Sequence, residues 1–84
     1  MIHRESIERY PGTLAELAGE LGDLRYDALA LFLRALARKL EADAAADAER
    51  GRPRLATALR DGAAGMSAVA SQIERAWAIS APHM

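Results

Sequence analysis

Apolar side chains recur through the middle of the chain at helical intervals. Leu29, Leu33, Leu36 and Leu40 follow at steps of four, three and four, which is the stripe of an amphipathic helix, and the pattern predicts a helix over 24–50. Within it, the run Ala28 to Leu33 ("ALALFL") is apolar on every side and calls for cover from more than one direction. The later run "EADAAADAE" carries nothing apolar larger than alanine, so that end can pack only against a partner that supplies bulk. Upstream, Leu14, Leu17 and Leu21 share one face of a shorter helix over 13–22, and Thr13 followed by Glu16 has the spacing of a capping box. Gly22 is placed to close that helix in the left-handed conformation, and Asp23 to cap the next. Residues 1–12 form an N-terminal arm with Ile2, Ile7 and Tyr10 as its apolar positions, set off by Pro11-Gly12.

The third helix is predicted over 53–80. Gly51 follows the end of one helix and Pro53 opens the next, the asymmetry expected of a corner between two helices. An antiparallel hairpin results, pairing residues whose numbers sum to about 103. Leu55 then faces Ala48, Leu59 faces Ala44, Val69 and Ile73 come near Leu33 and Leu29, and Trp77 comes near Tyr26 as a possible aromatic floor. The same register sets Arg54 against Glu49, Arg60 against Asp43 and Arg75 beside Asp27. Gly62 falls opposite Leu40 and Gly65 opposite Ala37, so the stretch "DGAAGMS" reads as a notch: Gly62 admits Leu40, and Gly65 admits a helix of a second subunit. Phosphate-binding glycines instead sit in a loop ahead of a helix, a context that these two lack.

The residues of the corner, "RGRPR", also resemble the core of an AT-hook, a basic element that lies extended in the minor groove of A·T-rich DNA. That resemblance implies DNA contact through Arg50, Arg52 and Arg54. Flexible basic flanks are the usual setting of such an element, whereas here Asp43, Asp47 and Glu49 precede it in a helix-forming stretch.

Composition narrows the function. Nearly half of the apolar residues are alanine, a thin supply of bulk for one small domain over 1–84, and with no cysteine neither a disulfide nor a cysteine-rich zinc site is available to staple it. Oligomerisation is the remaining resource. Net charge is −1, with residues 1–27 acidic and 51–84 basic, which argues against a nucleic-acid partner in general. The charged N-terminus predicts no signal peptide, and the longest uncharged stretch, 62–73, is too short for a bilayer, so no membrane association and a cytoplasmic setting are expected.

No catalytic, cofactor or metal constellation is spelled out. His3 and His83 lie at opposite chain ends, Glu16/Glu20 and Asp43/Asp47 are carboxylate pairs one helical turn apart of the kind usually solvated, and Ser67 and Ser71 sit where hydroxyls bond back to the preceding turn. The sequence therefore predicts an all-α fold, a small helical bundle made of a long antiparallel hairpin and a shorter N-terminal helix and completed by dimerisation. It is read as a non-enzymatic protein–protein interaction module that binds a second copy and, as adaptor or inhibitor, another protein. The expected interface joins the bulk of Leu31 and Phe32 to the small-residue face of Ala58, Gly65, Ala68 and Gln72.

Overall fold

In a computed structural model of the chain, which describes residues 3–83 and so leaves Ile2 outside, three α-helices follow in order: α1 (Leu14–Gly22), α2 (Tyr26–Glu49) and α3 (Pro53–Ser80). A single 3₁₀ turn, Ala81–His83, ends the described chain. No strand occurs among the described residues.

Local chemistry accounts for the helix ends. The Thr13 hydroxyl accepts from the Glu16 backbone N–H at 3.1 Å while the Glu16 carboxylate accepts from the Thr13 N–H at 3.0 Å, a complete capping box. At the corner, Gly51 adopts φ +77°, and the Arg52 and Gly51 N–H groups donate to the Asp47 and Ala48 carbonyls at 2.9 and 3.1 Å. This is a Schellman closure of α2, and Pro53 starts α3 where its missing donor costs nothing. The first corner differs from expectation. Gly22 stays helical, Asp23 closes α1 with an ordinary right-handed backbone, and Arg25, not Asp23, is the N-cap of α2, with no side-chain cap bond. With a right-handed stop available, no left-handed residue is needed there.

Helices α2 and α3 pack side by side as the hairpin. Their seam is built on alanine: Ala30, Ala37 and Ala44 on α2 and Ala56, Ala63 and Ala70 on α3 are buried, each series stepping by seven residues. Half-buried Leu33 and Leu40 on one helix, and Leu59, Met66 and Ile73 on the other, alternate with them. A register in which facing numbers sum to about 103 puts Leu40 level with Ala63, Met66 with Ala37 and Leu59 with Ala44, so each layer sets a large side chain against a small one. Alanine lets the axes approach to the near end of the usual range, about 8 Å, but contributes only about 0.8 kcal/mol per buried methyl. Among the described residues no large side chain is fully buried.

Helix α1 does not fold onto the hairpin as expected. It buries none of its residues, and Leu14 is 56% exposed. Arg25, bonded through Nε and Nη2 to the Asp27 carboxylate at 2.6 and 2.9 Å, lies 5.2 Å above the Trp77 ring and so occupies the open end over which α1 would have to turn. The aromatic floor expected of Tyr26 and Trp77 is accordingly replaced by a cation on the Trp77 face. The described chain measures 50 × 29 × 14 Å.

The glycine notch is not a seat for Leu40. A Cβ added to Gly62 or Gly65 meets nothing within 4 Å, because both positions turn away from the seam that Ala63 and Met66 occupy. Gly65 lies on the outer edge of α3, and Gly65→Ala should therefore raise stability by about 1 kcal/mol, the helix-propensity difference alone. Chemical denaturation checks this, and a loss of stability would show that the site is crowded.

Candidate functional site

The hairpin is a flat, two-faced plate. Counting one hundred degrees per residue from the alanine seam sends Leu29, Leu33, Leu36 and Leu40 of α2 to one side, together with Leu55, Leu59, Met66, Val69, Ile73 and Trp77 of α3. At the turn end of this side Leu40, Leu55 and Leu59 line a shallow groove with Asp47, and His3 of the N-terminal arm reaches it. Leu55 and Val69 are exposed and the remaining eight are half-buried, so large apolar side chains run along this face, joined at the turn end by the charged Asp43, Asp47, Arg50 and Arg52. Gly62 lies within it, between Leu59 and Met66, and its absent side chain leaves open space there.

The opposite face is polar. Arg34 crosses from α2 to α3, donating from Nε and Nη2 to the Glu74 carboxylate at 3.0 and 2.6 Å and from Nη2 to the Ser71 hydroxyl at 3.1 Å. That hydroxyl in turn donates to the Ser67 carbonyl at 3.2 Å, the backward bond foreseen for it. Arg34 to Glu74 is the one ion pair between α2 and α3 among the described residues. The three cross-hairpin pairs expected from register do not form. Asp43 takes Lys39 at 2.6 Å and Asp27 takes Arg25, partners that a single turn of chain already holds nearby.

Every carboxylate of the two candidate pairs has structural work. Glu16 completes the cap, Glu20 accepts from the Tyr10 hydroxyl, Asp43 holds Lys39, and the buried Asp47 lies 3.6 and 3.7 Å from Arg50 and Arg52. Among the described residues no cluster of three or more His, Cys, Asp and Glu is placed to hold a metal ion. The corner residues 50–54 form a helix end and a helix start, with two of the three arginines turned to Asp47.

The bonds to Glu16, Asp27 and Glu74 hold these carboxyls below their ordinary values, through the Thr13 backbone N–H, the Arg25 guanidinium and the Arg34 guanidinium respectively. The Tyr10 hydroxyl is pushed up by the bond it donates to Glu20. Because the folded state favours the charged carboxylates, their contribution is complete above the ordinary values of 4.5 for Glu and 3.8 for Asp and is lost as pH falls through the lowered ones. The thermal midpoint should accordingly drop as pH falls from about 4.5 to about 2–3, the range below the ordinary carboxylate values. A flat profile there would mean that these bonds add nothing.

The six interface residues expected from sequence do not share one patch. Phe32 borders the apolar face, while Ala58, Gly65 and Gln72, with Ala68 beside them, line the outer edge of α3. Leu31, 70% exposed, lies on the other flank of α2 with Asp27, Arg34 and Arg38. Sequence reasoning missed Leu55, Met66 and Val69 as one surface with the leucine stripe of α2. The signal was present, because these residues repeat at steps of three and four in α3, but only the choice of seam shows which sides of the two helices coincide. No protein family matches the chain, and neither a curated protein nor a solved structure does.

Proposed function

We propose that this protein is a non-catalytic interaction module that works as a homodimer, two hairpins closing their apolar faces on one another about a two-fold axis to make a four-helix bundle. The carrying observation is surface. The chain exposes 6522 Å², against about 4900 Å² for a compact protein of its mass. Its radius of gyration is 15.2 Å, where about 12 Å is usual for this length. The chain also carries a face of large apolar side chains beside a seam whose buried apolar residues are all alanine. Pairing about a two-fold axis presents the same face on each copy, the commonest closure of a soluble oligomer.

Charged groups fit this reading as well. Those on the opposite face, including Arg34, Arg38, Glu41 and Arg60, stay outward in such a dimer and offer the surface on which an adaptor or inhibitor meets another protein. No described helix is long and apolar enough to cross a membrane, and a cysteine-free chain suits the reducing cytoplasm. Light scattering coupled to size exclusion tests the proposal. Twice the chain mass is expected at micromolar concentration, and a stable, cooperatively melting monomer overturns it.

A further inference from the structure

We infer that α1 is an exchange arm, a helix that each chain lays on the apolar face of the second copy. The inference rests on the dimer proposed above and names what completes its interface. Three observations carry it.

The first is the state of α1 itself. A nine-residue helix is marginal in water even with a good cap, since nucleation costs more than so few backbone bonds return. The capping box and the Tyr10 to Glu20 bond shape α1 before any docking, yet it buries none of its residues and carries Leu14, Leu17 and Leu21 along one side. It is a formed apolar element that does not pack on α2 or α3, with Leu14 exposed and Leu17 and Leu21 half-buried.

The second observation is the tether. Only Asp23, Leu24 and Arg25 join α1 to α2, and Arg25 is fixed by Asp27 and Trp77, so α1 leaves the open end of the hairpin without packing on its own α2 or α3, although His3, further along the arm, meets the turn-end groove of the same chain. A second hairpin laid against the first brings its own apolar face to that end.

Area supplies the third. The chain exposes about 1600 Å² more than a compact protein of its mass, and a standard interface hides about 800 Å² per partner. Face-to-face pairing of two hairpins therefore disposes of about half the excess. The remainder is of the size that a short amphipathic helix covers, and among the described residues outside the hairpin Ile7, Leu14 and Leu24 are exposed, with Leu17 and Leu21 half-buried beside them.

The test is Leu14→Glu/Leu17→Glu in the full chain, with sedimentation equilibrium over a dilution series and a thermal melt of the dissociated monomer. Neither position contributes to the hairpin seam, so the double variant keeps the helical circular dichroism and monomer melting of the wild type. The expected result is a dimer dissociation constant weakened by about 100-fold, roughly tenfold for each leucine. An unchanged dissociation constant overturns the exchange arm and leaves the dimer standing. A lowered monomer midpoint with dimerisation intact overturns it too, because α1 then docks within its own chain. A wild type that is monomeric throughout removes the dimer itself, and the exchange arm with it.

Discussion

Ala63→Leu should destabilise the hairpin by about 1 to 3 kcal/mol and lower the thermal midpoint by about 4–8 °C for each of them. The reason lies in the layers of the seam. Ala63 is 0% exposed and level with Leu40, so three added carbons have no space unless the helices separate, and separation opens the neighbouring layers at Ala37 and Ala70 as well. Leucine propagates a helix nearly as well as alanine, which removes local propensity as an explanation. Ala64→Leu, one residue further on and exposed, is the matched control and should stay within about 0.5 kcal/mol of the wild type. Equal behaviour of the two variants in chemical denaturation would mean that alanine at this seam is incidental.

Val69→Glu should split the dimer, weakening it by about 100-fold or more, because a carboxylate pressed into an apolar interface is either left without water or keeps the two faces apart. Val69 is already exposed in the single chain, so the substitution spares the hairpin. Leu31→Glu is the informative contrast. The sequence nominates Leu31 as interfacial bulk, but it lies on the polar flank beside Arg34 and Arg38, and its replacement should leave the dimer intact. Light scattering on the two variants reads both outcomes. Dissociation by Leu31→Glu with Val69→Glu still dimeric would put the interface on the other side of the plate.

These two contrasts mark where the sequence stops being sufficient. Its local signals at the start of α1 and at the second corner are realised because each depends on atoms a few residues apart, whereas those at Gly22 and Asp23 are not. Thr13 and Glu16 exchange hydrogen bonds whatever surrounds them, and Gly51 with Pro53 turns the chain because one tolerates positive φ and the other lacks a donor. Charge pairing shows the limit of such reasoning. Register pairs Asp43 with Arg60 and Asp27 with Arg75, yet Lys39 and Arg25 take these carboxylates, and Arg60 lies on the polar face while Asp43 lines the groove on the other. Gly62 and Gly65 read as a notch for a similar reason: spacing along α3 was visible, but the side of α3 that met α2 was not.

The sequence by itself determined the helices, the start of α1 and the corner between α2 and α3, and with them the all-α hairpin. Tertiary structure alone decided the seam. Leu29, Leu33, Leu36 and Leu40 make a regular stripe on α2, and so do Ala30, Ala37 and Ala44 a quarter-turn away; periodicity allows either to face α3. Packing breaks the tie, because alanine facing leucine or methionine brings two backbones to their closest approach, whereas leucine facing leucine would hold them apart. Once the alanines turn inward, the bulk of Leu36, Leu55, Met66 and Val69 is carried onto one outer face, and the surface proposed for the second copy comes into being.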